Sequence, residues 1–218
     1  RNSTLGSLEA FILIALGQTA RARSLVEELL LQEPYNRDAM FARAELDIVE
    51  GRPASASLVY RQALERYPDD KRALVSLALL SLSLDDRDHA WRSIQRALSA
   101  HPADPRVYYY AAWMDSQEGR FDRAKRRLEN CLAIEPGFHG ALQLLSIVQY
   151  KSGEYSSSIA SAENLIRYRR HDTAAWYIKA RSQSQLGQYR QAMQTLKTAL
   201  AIDPEDEFMR MALSDLII

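Results

Sequence analysis

Hydrophobic positions along this chain fall into columns 34 residues apart. One column is small: Ala10, Ala44, Ala78, Ala112, Ser146, Ala180 and Ser214. A second is also small: Ala22, Ala56, Ala90, Ala124, Ser158 and Ala192. A third is large and apolar: Leu30, Leu64, Leu98, Leu132, Ile166 and Leu200. Small side chains let two helices approach closely where they cross. The large column is expected to fill the space between neighbouring repeats.

Helix-breaking and polar residues keep the same register. Gly17, Gly51, Gly119, Gly153 and Gly187 stand where a helix must end on a left-handed backbone. Pro34, Pro68, Pro102, Pro136 and Pro204 stand where a second helix must stop, because proline cannot continue one. Two residues after the proline position come Asn36, Asp70, Asp104, Asp172 and Asp206, short polar side chains suited to cap the next helix. Each repeat is therefore predicted to be a helix A of about 13 residues, a turn at glycine, a helix B of similar length and a turn at proline. Complete repeats span 3–36, 37–70, 71–104, 105–138, 139–172 and 173–206, and a partial one spans 207–218. The whole of 1–218 is expected to form a single domain.

These columns resemble the tetratricopeptide repeat (TPR), a 34-residue unit with an aromatic or Leu early in helix A, small residues at the crossing, an aromatic after the turn and a closing proline. Leu74, Tyr108, Leu142 and Trp176 hold the early place, and Phe121, Tyr155 and Tyr189 follow the turn glycine. The resemblance covers essentially the whole chain. It implies an all-α, right-handed superhelical solenoid of antiparallel helix pairs, six full repeats plus a seventh helix A, with the A helices lining a concave groove that binds a peptide or protein. Three positions depart from the pattern. Asp85 replaces a turn glycine, and Asp tolerates a left-handed backbone better than most residues. Arg170 replaces a closing proline, so the helix before it is expected to run on or bend. Phe138, between Gly137 and Gly140, breaks the capping column and suggests a loose joint.

In this family, positions 2, 5, 9 and 12 of helix A face the groove. Carried over by position, they give Phe41, Val75, Leu79, Arg106, Tyr109, Trp113, Ile147, Tyr150, Tyr177 and Arg181 as the binding surface. Exposed apolar patches mark partner sites, and Tyr, Trp and Arg dominate interface energetics. The competing expectation is that Tyr109 and Trp113 only pack on neighbouring helices. One subclass of the family grips chaperone C-terminal carboxylates with Lys and Asn at fixed positions. Here those positions hold Phe41 and Glu45, or Tyr109 and Trp113, so that clamp is not expected.

Charge and chemistry narrow the function further. Lys plus Arg equal Asp plus Glu at 28 each, without the positive surplus that displaces phosphate counterions, so no nucleic-acid partner is expected. No apolar run approaches the ~20 residues that span a bilayer, so no direct membrane insertion is expected. His89, His101, His139 and His171 lack metal-ligand spacing and read as solvated turn residues. Cys131, the single cysteine, occupies a helix-packing column. No phosphate loop or nucleophile motif is present, so neither an enzyme nor a cofactor is expected. Basic clusters at 120–127 and 167–170 read as solvated convex-face charge.

The chain opens on Arg1 without a signal peptide, which leaves a removed targeting sequence or a longer parent protein as expectations; cytoplasm and bacterial periplasm both stay open. The first helix carries Leu5, Leu8, Phe11, Ile12, Leu13, Ile14 and Leu16, and the last carries Met209, Met211, Leu213, Leu216, Ile217 and Ile218. Neither reads as the polar cap that a repeat stack needs. Further sequence beyond them, or self-association through them, is expected. Two functions follow: a protein–protein interaction scaffold, or the recruiting arm of a larger enzyme or secretion or envelope machine.

Overall fold

A computed structural model describes residues 3–215. The chain forms two compact units, Arg1–Pro102 and Ala103–Ile218. The N-terminal unit holds α1 (Ser3–Ala15), α2 (Thr19–Gln32), α3 (Arg37–Val49), α4 (Pro53–Arg66), α5 (Lys71–Ser83) and α6 (Arg87–Ala100). The C-terminal unit holds α7 (Pro105–Gln117), α8 (Phe121–Ile134), α9 (His139–Lys151), α10 (Tyr155–Tyr168), α11 (Thr173–Gln185), α12 (Tyr189–Ile202) and α13 (Glu207–Ser214). The described residues contain no strand. Each helix A starts on the first residue of its 34-residue repeat, so the all-α repeat architecture is the one expected. Leu216, Ile217 and Ile218 lie outside the described residues.

The column chemistry explains the boundaries. Asn36, Asp70, Asp172 and Asp206 each accept the backbone N–H three residues on, at 2.9–3.0 Å, and Asp104 accepts that of Arg106 at 2.9 Å. Such a cap is worth about 1 kcal/mol. Asp85 adopts φ 58°, the left-handed turn otherwise taken by glycine, while the next residue, Asp86, caps α6 through the N–H of His89.

In the six complete repeats both small columns are closed inside the helix pairs, with Ala44, Ala56, Ala112 and Ala124 fully buried, while Ser214 in the partial repeat is exposed. The large column is half-buried, and within each unit it packs at the seams between repeats. Leu30 packs against the cores of the first two repeats, and Leu132 against those of the fourth and fifth. Serines in the small columns add buried hydrogen bonds. Ser158 Oγ donates to the Ser146 carbonyl at 2.8 Å, and Ser182 Oγ lies 2.9 Å from Ser158 Oγ, tying α9, α10 and α11 together.

A polar pin between helices A and B, twelve residues apart, adds to the packing of the last three complete repeats. Ser161 Oγ donates to Gln149 Oε1 and Thr195 Oγ1 to Gln183 Oε1, both at 2.8 Å. Asp115 and Arg127 occupy the same places in the fourth repeat, 2.7 Å apart. In the second repeat the equivalent Asp47 instead accepts from Ser55 and pairs with Arg52.

Two expectations about the joints need correction. The helix before Arg170 does not run on: α10 ends at Tyr168 with the same 14 residues as the other B helices. The Trp176 indole N–H binds the Arg170 carbonyl at 2.8 Å, so a side chain closes the turn that proline closes elsewhere. The joint at Phe138 is filled, not loose. The Phe138 ring lies 5.4 Å from that of Tyr109, and a Cβ on Gly140 would stand 3.1 Å from Tyr109 Cε2, so glycine makes room for the ring.

Candidate functional site

In the N-terminal unit the carried-over positions are largely closed. Phe41 is 1% exposed, its ring 5.6 Å from that of Tyr60, and Val75 is 8% exposed. Both are core residues, which corrects their assignment to an open binding face: the second and third repeats pack tightly enough to swallow them. Leu79 is half-buried. Arg72 covers the position instead. Its guanidinium lies 4.5 Å from the Phe11 ring centroid and 5.3 Å from that of Phe41, and it pairs with Glu45 at 3.2 Å. The Tyr60 hydroxyl donates to the same Glu45 oxygen, and burial pushes that phenol up to about 12. Phe11 belongs to this wall and sits at position 9 of the first repeat; applying the groove columns there would have found it.

In the C-terminal unit the A helices present a half-open aromatic face. Tyr109 is half-buried against Tyr110 and Phe138, with its phenol pushed up by burial, so packing accounts for much of its role. Trp113 lies one turn further on the same face of α7, partly exposed. Ile147 and Tyr150 share a face of α9 in the same way, both partly exposed. On α11, Arg181 binds two tyrosines at once. Its Nε and Nη2 donate to Tyr150 Oη at 3.2 and 2.8 Å, and its Nη1 donates to Tyr177 Oη at 3.0 Å. The hydrogen bond to Tyr177 is the main reason Arg181 holds its proton more tightly than an ordinary arginine. Arg106 stands apart, 3.6 Å from Asp104 at the start of α7.

The face continues onto α13. The Phe208 ring lies 4.5 Å from that of Tyr177, and Phe208 and Met211 are 57% and 66% exposed. They hold positions 2 and 5 of the seventh repeat, so the same columns would have identified them. Met209, read from sequence as part of an uncapped apolar end, is core at 1% exposure.

The chemistry elsewhere is structural. His139 Nε2 lies 2.8 Å from Asp172 Oδ2, His101 Nε2 lies 2.5 Å from the Asp69 carbonyl, and His89 pairs with Asp86, so these three are bonded rather than simply solvated. Most of the first basic cluster is likewise committed: Arg120 and Arg127 converge on Asp115, and Lys125 bridges Asp122 and Glu154. Burial pushes the Cys131 thiol up to about 11, which keeps it protonated. Among the described residues no group of three or more His, Cys, Asp or Glu could hold a metal ion, and no helix is long and apolar enough to cross a membrane.

Comparison with known proteins places this architecture. The tetratricopeptide repeat profile matches residues 13–77, 116–181 and 151–216. No curated protein matches the chain by sequence. The solved structure of PilW, described as a widely conserved type IV pilus biogenesis factor, is similar with a TM-score of 0.83 at 19% identity, over 98% of this chain and 99% of that one. PilF of Pseudomonas aeruginosa is similar at 0.79 and 16% identity, over 98% and 97%. YrrB, described as a TPR protein with an unusual peptide-binding site, is similar at 0.67 and 13% identity, over 86% and 96%. At these identities the likeness is one of fold.

Proposed function

The chain belongs to the tetratricopeptide repeat family, a family of protein–protein interaction scaffolds, and from that premise we propose that its C-terminal unit binds a peptide or protein segment along the A-helix face. The observation that carries this is the row of half-open Trp113, Ile147, Tyr150 and Tyr177, continued by exposed Phe208 and Met211. Large apolar and aromatic side chains left open on packed helices are the usual anchors of an interface. The face suits an extended apolar segment or an amphipathic helix. In the N-terminal unit the equivalent residues Phe41 and Val75 are buried and Leu79 half-buried, so that unit contributes less apolar contact. Arg106 and Tyr109 lie at the α7 end of this face, with Tyr109 also packed on Tyr110 and Phe138.

Panning a random peptide library on the immobilised chain tests this. Peptides that bind the native chain should lose binding to a folded Trp113→Ala variant. Equal enrichment on both would sink the groove assignment.

A second role has its own observation. Leu5, Leu8 and Ile12 form an exposed stripe along α1, continued by Leu16 just past its end, with Leu5 and Leu16 65% and 66% open. Leu5 and Ile12 sit at repeat positions that are buried in α3, where Ala39 and Leu46 are closed. Self-association through this stripe is the reading it supports. The larger alternative, a recruiting arm of an enzyme or envelope machine, draws on the end-to-end likeness to PilW, described as a type IV pilus biogenesis factor.

A further inference from the structure

The arginines on the two A-helix faces are held differently. In the N-terminal unit, Arg72 bridges helices through the Glu45 carboxylate, and its charge is neutralised. In the C-terminal unit, Arg181 bridges helices through the hydroxyls of Tyr150 and Tyr177, and its charge is not. Asp215 lines the same cleft of about 390 Å³ but makes no ion pair with it. A guanidinium has five N–H donors. Three are engaged here, so one remains on each terminal nitrogen. Each tyrosine oxygen accepts from Arg181 and keeps its own O–H to donate. The two rings also flank the cation, with centroids 5.3 and 5.6 Å from Cζ. The result is a fixed positive fork with N–H and O–H groups left to donate and, among the described residues, no carboxylate within ion-pair distance, although Asp215 lines the same cleft.

The surroundings select the kind of anion. Apolar surface lies on both sides of Arg181: Ile147 on α9, and Phe208 and Met211 on α13. A ligand that contacts both sides must pass across the arginine, which puts the charge inside the ligand sequence and not at its end.

We propose that Arg181, clasped by Tyr150 and Tyr177, receives an aspartate or glutamate side chain from within a bound peptide, with apolar peptide residues seated on either side. This rests on the groove reading above. A carboxylate can accept from the N–H that remains on each terminal nitrogen. Because the tyrosines already immobilise the guanidinium, little side-chain freedom is left to lose on binding.

The test uses a random library displayed with each peptide's C-terminus fused to its carrier, so that no peptide carries a free terminal carboxylate. Enriched peptides are then synthesised acetylated and amidated and titrated against the chain. The expected result is an acidic residue between apolar ones. Replacing it with its amide should weaken binding to the native chain by about 10-fold or more and to Arg181→Leu by no more than about 2-fold. Arg181→Gln replaces the leucine variant if circular dichroism shows that the latter is unfolded. Enriched peptides without an acid, or an acid that matters equally in the variant, would overturn the inference and leave the groove reading standing. Binding that appears only when the peptide C-terminus is freed would also overturn it. No enrichment over bare support would overturn both.

Discussion

Asp115 Oδ2 lies 2.7 Å from Arg127 Nη1 across the α7–α8 pair, with Asp115 fully buried and Arg120 Nε 3.0 Å from its other oxygen. Arg127 also donates to the Ala111 carbonyl at 3.0 Å. Removing one partner of a buried pair leaves the other charge stranded, at a cost of about 3 kcal/mol. Asp115→Ala is expected to lower the unfolding free energy by that order in urea titration, and Asp115→Asn by less, since the amide oxygen still accepts. The joint replacement Asp115→Leu with Arg127→Met should recover part of the loss, because Arg127 is no longer stranded while Arg120 loses Asp115 and keeps Glu118.

The same carboxyl has a pH signature. Burial raises its pKa above the ordinary aspartate value, against the opposing pull of Arg127 and Arg120. The folded state therefore holds this proton to higher pH than the unfolded chain does. Its contribution to stability is greatest in acid and declines as pH rises from the ordinary aspartate range through the raised folded value. The urea midpoint of the native chain relative to that of Asp115→Asn should decline between about pH 3 and about pH 6. Parallel curves would show that another group is responsible.

Asp85 occupies a left-handed turn at φ 58° where five other repeats use glycine. Its side chain makes an exposed pair with Arg87, at 3.4 Å. Asp85→Gly removes backbone strain of about 1–2 kcal/mol and gives back part of it as unfolded-state entropy. A net gain of about 0.5–1 kcal/mol is expected. Gly187→Ala, at φ 73°, should change stability in the opposite direction. Thermal melts of the two variants beside the native chain decide it.

Tyr150→Phe and Tyr177→Phe each free part of the Arg181 guanidinium while leaving the rings in place. Affinity for an acid-containing peptide is expected to fall about 3- to 10-fold in either variant, the worth of one net hydrogen bond. Stability should move by less than about 0.5 kcal/mol, as for surface substitutions generally. A fall in melting temperature with unchanged affinity would make the hydroxyls structural.

The α1 stripe offers a separate measurement. Leu8 and Ile12 are 56% and 52% exposed, one helical turn apart. If they mediate self-association, light scattering should show mass rising with concentration for the native chain and a constant monomer for Leu8→Glu with Ile12→Glu. A native chain that stays monomeric at high concentration removes this role.

Sequence alone determined the repeat. Steric rules act locally, so Gly at a left-handed turn, Pro after helix B and Asx before helix A place the helix ends wherever they occur, and the small columns follow because two helices can cross closely only there. Even the exception at Asp85 was legible, since few other side chains tolerate that backbone. What only tertiary structure decided is how open each equivalent position is and which side chain answers which. Phe41 and Tyr177 both belong to groove columns, yet Phe41 is sealed by Tyr60 and Arg72 while Tyr177 stays half-open beside Phe208. The Trp176 bond that replaces a missing proline, the Asp115–Arg127 pin and the two-tyrosine hold on Arg181 all join residues from 6 to 31 positions apart. A 34-residue period aligns equivalent positions, but burial and charge pairing depend on the particular neighbours brought against each one, and those differ from repeat to repeat.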